Sequence, residues 1–144
     1  MDTPVYRERV LPSLATFLLA PLLGVFVFAV MLPVNDQLGT LIAISVSALL
    51  ASLLILKAPV IEVSISHVRV GRARIDRALI GSITIVSAED AFAEKGHLLD
   101  ATAYTSFQAS VKTMLKVQIA DKADPTPYWL FSTRNPEKLK DLLS

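Results

Sequence analysis

The sequence has 144 residues but no cysteine, only two histidines and almost no net charge. Without cysteine the chain has no disulfide, thiolate zinc site, iron–sulfur cluster or cysteine nucleophile. Fourteen Lys and Arg against thirteen Asp and Glu leave a net charge of +1, whereas nucleic-acid-binding domains usually show a marked basic excess. The sequence therefore predicts no nucleic-acid partner, and its length sets a ceiling of one ordinary domain.

Residues that could carry chemistry are scattered along the chain. His67 and His97 lie in predicted turns without a partner motif, and the five glycines form no phosphate-binding loop. No serine lies in a Gly-x-Ser-x-Gly motif. We therefore expect no catalytic, cofactor-binding or metal site, and we expect that the protein is not an enzyme.

Charged side chains avoid the first part of the chain: residues 1–59 hold six of them and residues 60–144 hold the other twenty-one. Two uncharged runs in the first part are long enough to cross a hydrocarbon core as helices, and we predict spans at about 10–32 and 38–56. Turn-forming residues between them predict an antiparallel hairpin. A cleaved signal peptide is disfavoured because the first run far exceeds a signal core.

The placement of basic residues predicts the orientation of this hairpin. Arg7 and Arg9 precede the first span, Lys57 follows the second, and the turn contains no Lys or Arg. By the positive-inside rule we expect both termini to be cytoplasmic, and we expect a two-pass protein of the cell membrane. The predicted domains are a cytoplasmic N-terminus at 1–9, the hairpin at 10–57 and a cytoplasmic β-rich domain at 58–144.

Small residues recur at a spacing of four in both spans, which allows helix backbones to approach closely in lipid. We predict that these positions pack helix against helix; they are Thr16, Ala20, Gly24, Gly39, Ala43, Ser47 and Ala51. Sealing the hairpin is the preferred interpretation, and a homo-oligomer interface is the alternative. Pro21, near the middle of the first span, predicts a local kink.

After residue 59 the hydrophobic period changes to two, which indicates strands. Strands are predicted at 61–65, 68–75, 82–87, 111–120 and 128–133, with a further candidate at 102–107. A β-bulge at Gly71 would place Val68, Val70, Ala73 and Ile75 on one face. Helices are predicted at 88–95 and from Pro136 onwards. The predicted fold class is an α+β membrane protein: a two-helix hairpin, then a small, strongly bent antiparallel sheet with a C-terminal helix.

The segment Asp124-Pro125-Thr126-Pro127 predicts a stiff turn that leads Tyr128 and Trp129 into a strand. Adjacent strand residues face opposite sides, so we expect only one of the two aromatic side chains to enter the core of a single small sheet. The other should cover the C-terminal helix or lie exposed as a partner surface.

Several motifs together resemble a known family. They are Tyr6-Arg7-Glu8-Arg9, the two spans, Gly71-Arg72-Ala73-Arg74, the Asp124 to Leu130 segment and Ser132-Thr133-Arg134. The chain resembles a family of small actinobacterial membrane proteins, domain of unknown function 3093, over nearly its whole length. That resemblance implies two spans and a soluble tail but no assigned activity. By strand order and terminal helix, the soluble part also resembles a pleckstrin-homology-type fold.

Two functions of different classes fit this organisation. One is a membrane-anchored binding or scaffolding protein that engages lipid headgroups or another protein; the other is an accessory subunit of a larger membrane assembly. A membrane-bound enzyme ranks third. Four cations close to a short linker, Arg69, Arg72, Arg74 and Arg77, are the predicted surface for anionic lipid or a partner. A solvated strand face is the alternative for them.

Overall fold

The computed structural model describes residues 3–144. The chain forms two compact units: one contains the chain up to Val10 together with Pro59–Ser144, and the other contains Leu11–Ala58. We call them the sheet unit and the hairpin unit. The hairpin unit is thus inserted in sequence between the first and second strands of the sheet unit.

The hairpin unit consists of α1 (Leu14–Phe17), α2 (Leu19–Met31) and α3 (Asp36–Leu56). The stretches Leu14–Met31 and Asp36–Leu56 are each long and apolar enough to cross a membrane. Helix α1 is separated from α2 at Leu18, one turn before Pro21. Proline has no N–H to donate to the carbonyl four residues earlier, so the interruption lies where the kink was expected.

The ends of the helices follow local capping chemistry. The first helix begins at Leu14 rather than at Val10, because Ser13 accepts a hydrogen bond from the Thr16 N–H and Val10 is buried in the core of the sheet unit. Helix α3 begins after Asn35, whose Oδ1 accepts from the Leu38 N–H at 2.9 Å. Residues 32–35 form the connection between the two long helices.

The first sheet of the sheet unit has four antiparallel strands in sequential order: β1 (Tyr6–Arg9), β2 (Val60–Val63), β3 (His67–Val70) and β4 (Ala73–Asp76). The sequence did not predict β1. The predicted bulge at Gly71 is instead a tight β3–β4 turn over Gly71 and Arg72, and Gly71 has a φ of 59°, a conformation that glycine adopts without steric cost. Val68 and Val70 pair with Ile75 and Ala73 on one face, as the bulge would also have placed them.

The second sheet contains β5 (Ile80–Val86), β6 (Tyr104–Ser106), β7 (Met114–Ile119) and β8 (Tyr128–Ser132) in the order β5-β7-β8-β6. Two sheets therefore replace the single bent sheet that the sequence predicted. The pair β6–β8 is parallel, which departs from the predicted all-antiparallel arrangement. A short 3-10 helix, Arg77–Leu79, leads into β5; α4 (Ala91–Lys95) follows β5, and α5 (Pro136–Leu143) ends the chain.

Tyr128 and Trp129 are both buried, contrary to the expectation that only one would enter the core. Trp129 belongs to the main core with Ile61, Phe131 and Leu139 of α5. Tyr128 lies on the opposite face of β8, in a second cluster. That cluster contains Val86, Ala91 of α4, Met114 and Leu130, with Leu99 packed against it. The prediction failed because it allowed for only one covered face of the sheet.

Candidate functional site: a basic sheet face and a buried motif network

A row of charged side chains crosses the outer face of the first sheet, one from each strand. Cross-strand pairing places Arg7 opposite Glu62, Glu62 opposite Arg69, and Arg69 opposite Arg74. The Glu62 carboxylate is 3.2 Å from Arg7 Nε and 3.7 Å from an Arg69 guanidinium nitrogen. Because these residues alternate with buried or half-buried residues along their strands, their side chains share the solvent side. The row carries three cations against one acid.

The same face becomes more basic toward the end of the sheet where Val10 and Pro59 lie, the residues directly before and after the inserted hairpin unit in sequence. Arg9 pairs with Val60, and the Gly71 N–H donates to the Val60 carbonyl at 2.8 Å. The exposed Arg72 in the Gly71–Arg72 turn therefore lies at this end. At the other end, Asp76 pairs with His67. We call Arg7, Arg9, Arg69, Arg72 and Arg74 the basic face.

Arg77, the fourth member of the predicted cluster, lies apart from the basic face. Its guanidinium donates to the Leu142 carbonyl in the last turn of α5 and, at 3.5 Å, to the Ser64 carbonyl. A cation there compensates the exposed carbonyl groups at a helix C-terminus. Arg77 therefore attaches the terminal helix to the β2–β3 connection. Arg7 and Arg9 were not part of the predicted surface, and they join the other three arginines because β1 belongs to the sheet.

A buried polar network connects the N-terminal motif to the end of β8. The Glu8 carboxyl group accepts hydrogen bonds from Thr133 Oγ1 at 2.7 Å, from the Arg134 N–H at 2.9 Å and from the Tyr6 hydroxyl at 2.9 Å. Asn135 Nδ2 donates to the Tyr6 hydroxyl at 3.2 Å. Burial and the neighbouring Glu8 raise the pKa of Tyr6. These contacts hold β1 against the start of α5.

The other motif residues have structural positions. Asp124 accepts from the Thr126 N–H at 2.8 Å, and that hydrogen bond lowers the pKa of Asp124. Pro125 and Pro127 frame this turn in front of Tyr128. The Trp129 ring lies 5.4 Å from the Tyr104 ring, and Tyr104 donates to the Val70 carbonyl at 2.8 Å, which links β6 to the first sheet.

Small residues mediate the contact between α2 and α3. Within these two helices the buried residues are Ala20, Gly24, Gly39 and Ala43. A Cβ atom at Gly24 would collide with Ser47 Oγ and lie 3.0 Å from the Ala43 carbonyl oxygen. A Cβ atom at Gly39 would lie 2.8 Å from Met31 Cβ. Thr16 and Ala51, two other predicted packing positions, are only partly buried.

The two histidines lie in different parts of the sheet unit. His67 is on the outer face of β3, with its Nδ1 3.2 Å from Arg74. His97 is exposed in the turn after α4. Among residues 3–144 there is no group of three or more His, Cys, Asp or Glu side chains that could hold a metal ion.

These features define a class: an α+β protein in which an apolar two-helix hairpin interrupts a small two-sheet domain after its first strand. A family model described as "Protein of unknown function (DUF3093)" matches residues 5–143, and the chain belongs to that family. The family resemblance of the sequence motifs is thereby confirmed. No curated protein and no solved structure matches the chain, so the likeness to a pleckstrin-homology-type fold stays a prediction.

Proposed function

We propose that this protein is a membrane-anchored binding or scaffolding protein whose sheet unit engages anionic lipid headgroups through the basic face. The hairpin unit is the anchor, because its long helices expose large apolar side chains such as Leu22, Phe26 and Ile44. Water would make that exposure costly, whereas a hydrocarbon core is its natural solvent.

The pairing of β1 with β2 supports one topology for the anchor. Val10 donates its N–H to the Pro59 carbonyl at 2.9 Å, directly before and after the inserted hairpin unit. Strands paired in this way lie on one side of a membrane, so the hairpin enters and leaves on the same side. Arg7, Arg9 and Lys57 flank these crossings, which favours the cytoplasmic side.

The proposal that the sheet unit binds anionic lipid rests on the charge balance of the outer face of the first sheet. Five arginines of the basic face stand against Glu62 and Asp76, and Asp76 lies at the end away from Val60. Only three residues, 57–59, separate α3 from β2, and such a segment spans at most about 10 Å. Each arginine within about a Debye length of an anionic surface gains about 1 kcal/mol.

Vesicle binding tests this function in a chain without the hairpin, because the hairpin by itself would insert into lipid. An Asn-Gly turn in place of residues 11–58 would join Val10 to Pro59 and preserve β1, whereas a fragment that starts at residue 60 lacks that strand. Cooperative thermal unfolding of this hairpin-free chain is the first requirement. We expect it to bind phosphatidylserine vesicles, to bind less at high salt and to ignore neutral phosphatidylcholine vesicles.

A matched pair of variants makes that test specific. Arg72→Glu with Arg74→Glu should weaken binding at least roughly 30-fold, from about 1 kcal/mol for each lost arginine. Lys122→Glu with Lys140→Glu makes the same change in net charge at positions outside the basic face and should have a much smaller effect. Equal binding by the two double variants would contradict a headgroup-binding role for the basic face.

An accessory subunit of a larger membrane assembly is the second candidate, and one observation favours it. An open groove runs along the hairpin between α2 and α3, lined by small and apolar side chains that include Ala20, Pro21, Ala48 and Ala51. Another transmembrane helix could pack closely there. Co-purification of a membrane protein that is lost in Ala48→Leu would support this function over the first.

A further inference from the structure

Two phenylalanines of the sheet unit are solvent-exposed, whereas Tyr128, Trp129 and Phe131 of the same unit are buried. Phe92 on α4 is 87% exposed, and Phe107, just after β6, is 38% exposed. Lys95 lies between them: it follows Phe92 by three residues on the same helix, and its Nζ is 5.0 Å from the centroid of the Phe107 ring. The three side chains therefore form one surface, which we call the aromatic patch.

The position of the patch within the sheet unit is fixed through Gln108, the residue after Phe107. Gln108 Nε2 donates to the Val10 carbonyl at 3.1 Å, and its N–H donates to Ser132 Oγ at 3.0 Å. Val10 is the last residue of the sheet unit before the apolar hairpin sequence begins. Phe107 thus lies where the chain leaves the sheet unit.

The basic face reaches the same end of the sheet unit. Tyr104 of β6 accepts from the Arg72 N–H at 3.4 Å, and Arg9 immediately precedes Val10. Phenylalanine rings beside Lys or Arg suit a membrane–water interface, because the apolar ring can enter the acyl boundary while the long basic side chain keeps its charge in water. A surface for a soluble protein partner would have no reason to lie near Val10, after which the chain continues into the proposed membrane anchor.

We propose that the aromatic patch inserts Phe107 and Phe92 into the interfacial layer of the membrane that holds the hairpin. The proposal rests on the proposed function, because it takes the hairpin as a membrane anchor. It adds a non-electrostatic contact: the basic face supplies charge attraction, and the aromatic patch supplies apolar burial of two rings. Together they would hold the sheet unit in one orientation on the bilayer.

The cysteine-free sequence allows a direct test in the full-length protein. Phe107→Cys carries an environment-sensitive NBD label in phosphatidylcholine–phosphatidylserine vesicles. Ile65→Cys is the matched control: Ile65 is 73% exposed and apolar, but it lies in the β2–β3 turn, at the opposite end of the first sheet from Val60. We expect a blue shift and quenching by brominated lipid for the label at 107, and neither for the label at 65.

A water-exposed label at position 107 would overturn the proposal, and so would equal quenching at 107 and 65. If Phe107→Cys unfolds, Phe92→Cys provides the second site, and its label must show the same blue shift and quenching. This labelling experiment is independent of the test of the proposed function, which measures charge-dependent vesicle binding of the hairpin-free chain. If vesicle binding of the hairpin-free chain still depends on charge but the label at 107 is exposed to water, membrane insertion of the aromatic patch is contradicted and the proposed function is not.

Discussion

The hairpin unit and the sheet unit are both rich in apolar residues, but they place them in opposite ways. In α2 and α3 the large side chains, such as Leu22 and Phe26, point outward, and the buried positions are alanines and glycines. In the sheet unit Ile61, Leu115 and Phe131 are buried. Burial of large apolar side chains stabilises a fold in water, whereas close backbone packing stabilises helices in lipid.

The two units therefore depend on different kinds of residue for their stability. Large-to-small changes should damage the sheet unit, and small-to-large changes should damage the hairpin unit. Both units also depend on a few polar contacts that the apolar pattern does not reveal.

Glu8→Ala should destabilise the sheet unit most. It leaves the Thr133 hydroxyl and the Arg134 N–H without their acceptor and loosens β1, at a cost of about 4 kcal/mol in unfolding free energy. Arg9→Ala, one residue further on an exposed position, is the control and should change stability little. Denaturant unfolding of the hairpin-free chain measures both. Equal midpoints would show that the network does not hold β1.

Gly24→Leu should separate α2 from α3, because even a Cβ atom there collides with Ser47 Oγ. We expect a loss of about 3 kcal/mol in detergent and faster proteolysis of the 32–35 connection. Ala29→Leu adds similar bulk at an exposed position of α2 and should leave the melting temperature unchanged. If the two variants melted alike, helix contact at Gly24 would be refuted.

Arg77→Ala and Arg72→Ala should separate a structural from a surface arginine. Loss of the Arg77 contacts to the Leu142 and Ser64 carbonyls should cost about 1.5 kcal/mol and increase hydrogen exchange in α5. Arg72 is exposed, and its removal should affect vesicle binding but not α5. Unchanged α5 exchange in Arg77→Ala would remove the distinction between them.

Tyr6→Phe should give the smallest effect on stability, and that effect should depend on pH. Burial, together with Glu8, raises the folded-state pKa of Tyr6 above its ordinary value near 10. Its contribution to stability is therefore fully present below pH 10 and is lost as the pH rises through the raised folded-state pKa. The difference in unfolding free energy between the original chain and the variant should shrink above pH 10. A difference that grows above pH 10 would mean that folding lowers the pKa of Tyr6, which would contradict the raised pKa.

Much of this fold was predictable where one local pattern decides it. The two uncharged runs predicted the long helices, and the alternation around Val68 and Ile75 predicted which side chains face inward. The strand β1 was missed because its partner β2 lies beyond the whole inserted hairpin. Its signal was the alternation of Tyr6, Glu8 and Val10 with Arg7 and Arg9, which resembles the charged flank of a membrane span.

The candidate site was predictable in part for the same reason. Arg69, Arg72 and Arg74 follow local strand alternation, but the inclusion of Arg7 and Arg9 in the basic face depends on long-range pairing. Arg77 was assigned to the predicted cluster only because it is close to the other arginines in sequence. Strand β4 ends at Asp76, so Arg77 is not on the sheet that carries the other arginines. The parallel pairing of β6 with β8 also lacks a short-range signal.

Cysteine accessibility can show whether the hairpin crosses the membrane and returns, because the chain itself contains no cysteine. Gln37→Cys lies at the start of α3, and Ser144→Cys is the last residue of the sheet unit. In intact spheroplasts a membrane-impermeant maleimide should label position 37 and not position 144, and inside-out vesicles should reverse the pattern. Labelling of both positions from the same side would contradict an anchor whose helices cross the membrane and return to a shared cytoplasmic sheet unit.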